Sequence, residues 1–145
     1  RCLMRALLDV NVLIALLDSA HVHHSRAHRW LADNARQGWA SCPITQNGCI
    51  RIMSQPAYPG SLPAQQVAAR LAEATRHPSH EFWPDSASLA GSSSIDWSVV
   101  ITGRQITDAY LLCLAVANSG RFVTFDRGIS HTAATGARAE HLLLL

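Results

Sequence analysis

Leu7-Leu8-Asp9-Val10-Asn11-Val12-Leu13-Ile14 is the stretch on which the reading of this chain turns. An apolar run, Ala6-Leu7-Leu8, meets one acid, Asp9, and resumes as Val12-Leu13-Ile14-Ala15-Leu16-Leu17. A short buried strand that ends in a carboxylate, followed at once by a helix, fits that pattern. In open α/β sheets the ligand crevice lies beyond the carboxyl ends of the strands, so Asp9 is expected to line it.

The pattern outward from there alternates. Residues 21–37 carry Val22, Ala27, Trp30, Leu31 and Ala35 among polar positions and predict an amphipathic helix ending at Gly38. Trp39-Ala40-Ser41-Cys42 reads as a strand, and Pro43 suits the first turn of a helix over 44–54. Ser61-Leu62-Pro63 opens a further helix that closes before Pro78, and Glu81-Phe82-Trp83 is a second short strand. The serine-rich stretch 85–98 reads as a loop with one helical turn. Residues 105–119 are apolar nearly all round and predict a buried helix. Arg121-Phe122-Val123-Thr124-Phe125 and 141–145 complete the strands. Strands alternating with helices imply an α/β fold of one domain, with a central, mostly parallel sheet between helices.

Composition narrows the class. The chain has 145 residues, 48% of them hydrophobic and 15% charged, enough to bury a core. Its longest uncharged apolar stretch, 111–117, falls far short of the roughly 18 residues a membrane span needs. With no basic leader in view, a cytoplasmic protein is expected. Met4-Arg5-Ala6-Leu7 reads like a start, so residues 1–3 are expected to be an extension. The four cysteines, Cys2, Cys42, Cys49 and Cys113, form no Cys-x-x-Cys pair and read as reduced thiols. Net charge is only +2, yet every basic residue is arginine. Arginine suits bidentate grip on phosphate, although a genome rich in G and C gives the same bias. His21, His23, His24 and His28 cluster without a third zinc ligand and read as a solvated helix face. Trp30, Trp39, Trp83 and Trp97 read as core and interface rather than base-stacking platforms.

Three of the seven aspartates interrupt the three most apolar segments: Asp9, Asp108 at the start of the 105–119 helix, and Asp126 after a strand. A carboxylate in a first helical turn is stabilised by the helix dipole and tends to stay ionised. Neighbouring carboxylates repel by about 4 kcal/mol at about 4 Å in an effective dielectric near 20. A cluster of three therefore needs a cation among its oxygens or takes up a proton. Hard oxygen ligands suit Mg²⁺ or Mn²⁺, and such a site lends itself to phosphodiester cleavage by an activated water.

Four stretches in order, Leu7-Leu8-Asp9-Val10-Asn11-Val12-Leu13, Ile44-Thr45-Gln46-Asn47-Gly48, Thr107-Asp108-Ala109-Tyr110-Leu111 and Thr124-Phe125-Asp126-Arg127-Gly128, resemble the PIN-domain ribonucleases, VapC-type toxins most closely. The resemblance implies a three-layer α/β/α fold and a divalent-metal endoribonuclease acting on structured RNA such as tRNA or rRNA. It also implies a homodimer and a small antitoxin that covers the active site. By position, Asp9, Asp108 and Asp126 match the family's acidic metal ligands. Asn11 and Thr124 would line the pocket, with Arg127 and Arg51 near RNA phosphate. Many PIN domains have glutamate where this chain has Gln46, which keeps an acceptor oxygen but loses charge and any general-base role. One metal is therefore expected in the free protein.

Two other readings stay open on the residues alone. A phosphatase with Asp9 as nucleophile lacks the second aspartate two residues on, where Asn11 stands, and has no lysine. A catalytically silent RNA- or protein-binding module would make Gln46 the mark of a decayed site.

Overall fold

The structure, a computed structural model, describes residues 3–91 and 93–145. Arg1 and Cys2, in the expected extension, lie outside the described residues, as does Ser92. Five strands, β1 (Ala6–Leu8), β2 (Trp39–Ser41), β3 (His80–Phe82), β4 (Arg121–Thr124) and β5 (Leu142–Leu144), form one sheet in the order β3-β2-β1-β4-β5. All four pairings are parallel, so β1 sits at the centre with its carboxyl end beside that of β4.

Alternation along each short strand makes the three layers. Leu7, Ala40 and Phe122 face one side and pack with α5 (Ile106–Ala117). Ala6, Leu8, Trp39 and Val123 face the other, beneath α1 (Val10–Leu17), α3 (Pro43–Met53) and α4 (Ala64–Thr75). The α/β/α reading of the sequence holds.

Local chemistry starts the helices where the sequence places them. Asp9, in extended conformation, caps α1 by accepting from the Val10 N–H at 2.8 Å. Pro43 opens α3, and Thr45 Oγ1 accepts from the Cys42 N–H at 3.0 Å. The close approach of α3 to α1 requires Gly48, since a Cβ there would stand 2.6 Å from Val10 Cγ2. Gly48→Ala should cost about 1–3 kcal/mol by overpacking, read by urea unfolding. An unchanged midpoint would show that the two helices yield there.

The single helix expected over 21–37 is broken. The His23 N–H donates to His21 Nδ1 at 3.0 Å in a tight turn, so α2 begins only at His24 (His24–Asp33). Its end comes where the Asn34 side chain donates to the Trp30 carbonyl at 2.8 Å, and a 3-10 turn, Ala35–Gln37, leads to Gly38.

Nor are the histidines merely a solvated face. His24 Nδ1 lies 2.7 Å from the Ala15 carbonyl and His28 Nε2 lies 3.2 Å from that of Leu16, so α2 caps the open end of α1. His23 packs on Phe125, ring centres 4.7 Å apart.

Cys42, Cys49 and Cys113 are buried and free, as expected. Trp39 and Trp83 are core residues, whereas Trp97 is exposed. Among the described residues no helix is long and apolar enough to cross a membrane.

Candidate active site

The carboxyl ends of β1 and β4 bring two aspartates together, and the first turn of α5 brings the third. Asp9 is 6% exposed. Its Oδ1 is taken by the cap on α1, and its Oδ2 accepts from Thr124 Oγ1 at 2.6 Å. Thr124 Oγ1 accepts in turn from the Asp126 N–H at 3.0 Å, and Asp126 Oδ1 accepts from the Gly128 N–H at 2.7 Å. One hydroxyl thus links both strand-end acids. Thr124→Val, which removes it, should lower catalytic efficiency about ten- to hundredfold with the fold retained, as supporting partners of metal ligands commonly do. Unchanged kinetics would remove Thr124 from the site.

Asp108, the third residue of α5, is 9% exposed. Burial pushes its carboxyl up to about 7, helped by the Asp9 charge and by a hydrogen bond to Asp126 with that group's own charge. The expected pull of the helix start towards ionisation is overridden. Asp9 is also raised, by burial first, against the opposing hydrogen bonds from Thr124 and Val10. Three acids therefore meet in a site that favours a bound proton or a bound cation.

Not every residue singled out in the sequence joins them. The Gln46 amide donates to Ser41 Oγ at 3.0 Å, and Ser41 Oγ lies 2.8 Å from His80 Nε2. Residues two apart on a helix point about 200° apart, so Gln46 faces away from Val10, against which Gly48 packs. The hydrogen bond that Gln46 makes is thus to Ser41, at the end of the strand that pairs with β1. Arg51 is exposed in the last turn of α3. Asn11, two residues past Asp9, and Arg127, next to Asp126, are both exposed beside the strand-end acids.

Sequence reading missed Gln105. Its Oε1 accepts from the Ile101 and Thr102 N–H groups at 2.8 and 3.0 Å, while its Nε2 donates to the Gly128 carbonyl at 3.0 Å. This ties the turn before α5 to the turn that carries Asp126. The signal was present: Thr102-Gly103-Arg104-Gln105 has the spacing of a capping box.

Among the described residues, no three His, Cys, Asp or Glu side chains are already closed around a point that would hold an ion. The donor chemistry nevertheless fits a hard divalent cation. The carboxylates supply oxygen alone, and a cation would replace the proton that Asp108 otherwise keeps.

Residues 6–135 match the family described as PIN domain. The chain is 53% identical over 142 residues to Ribonuclease VapC44 of Mycobacterium tuberculosis, covering 98% of this chain and all of that one. Ribonuclease VapC39 of the same organism is 42% identical over 134 residues, covering 92% and 96%. A solved structure, "Crystal structure of VapBC2 from Rickettsia felis bound to a DNA fragment from their promoter", superposes with a TM-score of 0.52. It covers 85% of this chain and 88% of that chain at 14% identity, a likeness of fold.

Proposed function

The chain belongs to the PIN-domain family, and from that premise we propose that it is a VapC-type endoribonuclease toxin that depends on Mg²⁺ or Mn²⁺. The observation that carries the reading is the meeting of Asp9, Asp108 and Asp126, three acids from distant parts of the chain, with the carboxyls of Asp9 and Asp108 both pushed up by burial. The relatives named as VapC ribonucleases supply the reaction class.

Asp9, Asp108 and Asp126 would hold the ion, which when bound supplies charge neutralisation and activation of water at a phosphodiester. Thr124 keeps Asp9 oriented by donating to its Oδ2. A cation held there would take the place of the proton that the raised Asp108 carboxyl otherwise keeps. Asp126, anchored through the Gly128 N–H, is held at the exposed rim where a phosphate enters. Gln46 braces α3 through the hydrogen bond that its amide donates to Ser41. Arg127, the neighbour of Asp126, supplies positive charge around the entrance.

The substrate is structured RNA, tRNA or rRNA, met in the cytoplasm. The partners are a second copy of the chain and a small antitoxin that covers the acid cluster. The test is incubation of the purified, antitoxin-free protein with bulk bacterial RNA in Mg²⁺, Mn²⁺ or EDTA, beside Asp108→Asn. Discrete fragments that vanish with EDTA and with the variant support the nuclease. Intact RNA even at high Mn²⁺, with RNA still bound, would establish the silent binding module instead.

A further inference from the structure

On the α5 side of the acid cluster lies a cavity of about 450 Å³ lined by Ile101, Thr102, Arg104, Gln105, Asp126 and Gly128. Gln105 makes its walls a unit, since one side chain bonds Ile101, Thr102 and Gly128 at once. Asp126 is fastened to the same Gly128 through its N–H. The wall opposite Asp126 is thus held at a set position relative to the acid.

Two side chains in that wall have no partner for their chemistry. The ion pairs among the described residues are Arg5–Glu81 and Arg138–Glu140, and Arg104 has neither a carboxylate nor a side-chain hydrogen bond. Ile101 is 83% exposed. An acidic cluster repels a polyanion, so RNA that approaches Asp126 needs a cation close by. A guanidinium offers donors in a fork that matches phosphate. An uncovered isoleucine in the same wall suits the apolar face of a base or sugar and gives nothing to a fully hydrated inorganic ion.

We propose that this cavity receives the nucleotide adjoining the scissile bond, with Arg104 gripping its phosphate and Ile101 packing against its base or ribose. The proposal rests on the nuclease reading and names the substrate contact that the three acids leave open. Arg104 and Ile101 act here as substrate-binding residues, and Gln105 as the residue that positions them.

Affinity is measured in the Asp108→Asn background, where RNA is not cut, by fluorescence anisotropy with end-labelled bulk bacterial tRNA. Arg104→Ala should weaken binding about tenfold and make the log–log salt slope shallower by about one, the signature of one lost phosphate contact. Arg104→Lys should recover part of the affinity. Arg70→Ala, on the exposed face of α4, should change neither quantity. In the cutting protein, Arg104→Ala should raise KM with kcat nearly kept, and Ile101→Ser should redistribute the cut positions. Unchanged affinity and salt slope for Arg104→Ala would overturn the proposal, and so would an equal loss from Arg70→Ala, which would mean diffuse charge. Cut positions indifferent to Ile101→Ser would overturn the apolar contact. A wild-type protein that neither binds nor cuts RNA brings down the nuclease reading and this one with it, whereas a cutting protein indifferent to Arg104 brings down this one alone.

Discussion

Asparagine in place of Asp9 should reduce RNA cleavage by about a thousandfold or more, the scale of the several kcal/mol that a catalytic metal supplies. The substitution keeps the volume and most of the hydrogen bonding. The new amide oxygen can accept from the Val10 N–H, and its nitrogen can donate to Thr124 Oγ1 once that hydroxyl turns. Only the charge is lost, and with it a ligand for the cation. Thermal unfolding in EDTA should show Asp9→Asn at least as stable as the parent, because burial already disfavours the Asp9 anion. Cleavage that survived with the fold intact would refute the assigned site. A collapse of stability would instead make Asp9 a structural cap first, the role that its bond to Val10 also permits.

The metal-free protein should lose stability as pH rises between about 4 and 7, and Asp108 is the reason. In the unfolded chain this carboxyl releases its proton near its ordinary value of 3.8, while in the fold it keeps the proton up to about 7. Between those values the native state binds more protons than the unfolded one, so raising the pH favours unfolding. The contribution is fully present below the lower value and is lost as pH passes through the upper one. Asp9, raised for the same main reason, pushes in the same direction. Thermal melts in EDTA from pH 5 to pH 8 should therefore fall, and Asp108→Asn should flatten the fall and melt higher at pH 8. Mg²⁺ should stabilise most at the alkaline end, where no proton competes for the oxygens. His21 and His80, both lowered by burial, work the other way, so the decisive reading is the difference between parent and variant. An Asp108→Asn profile parallel to the parent's would mean that Asp108 does not hold its proton in the fold.

Period-two burial of Ala6-Leu7-Leu8 and Phe122-Val123, with an acid at each strand end, made the sheet and two of its acids legible from the sequence. The unbroken apolar run of α5 around Asp108 pointed to the third. Positions whose meaning depends on distant partners were not legible. Gln105 joins groups 3, 4 and 23 residues away, and only the first spacing leaves a pattern in sequence. Gln46 could be matched by position, but the side to which its amide turns is decided by Ser41 and His80 across the sheet. Asp108's retained proton reflects burial and two neighbours, none of which is local. Asn34 stopped α2 through a bond to its own helix that competes with continuation, a choice that composition alone leaves balanced.

The hydrogen bond between Thr124 and Asp9 joins residues 115 positions apart. Until β4 has been synthesised and has slid in beside β1, Asp9 has no hydroxyl to hold it, and neither Asp108 nor Asp126 has its acidic neighbours. A nascent chain still attached to the ribosome therefore carries separate, ordinary carboxylates through most of its translation. Contacts of such long range form late and slowly compared with local helices. The acid cluster is therefore a product of the finished fold, and a partly made chain does not carry it.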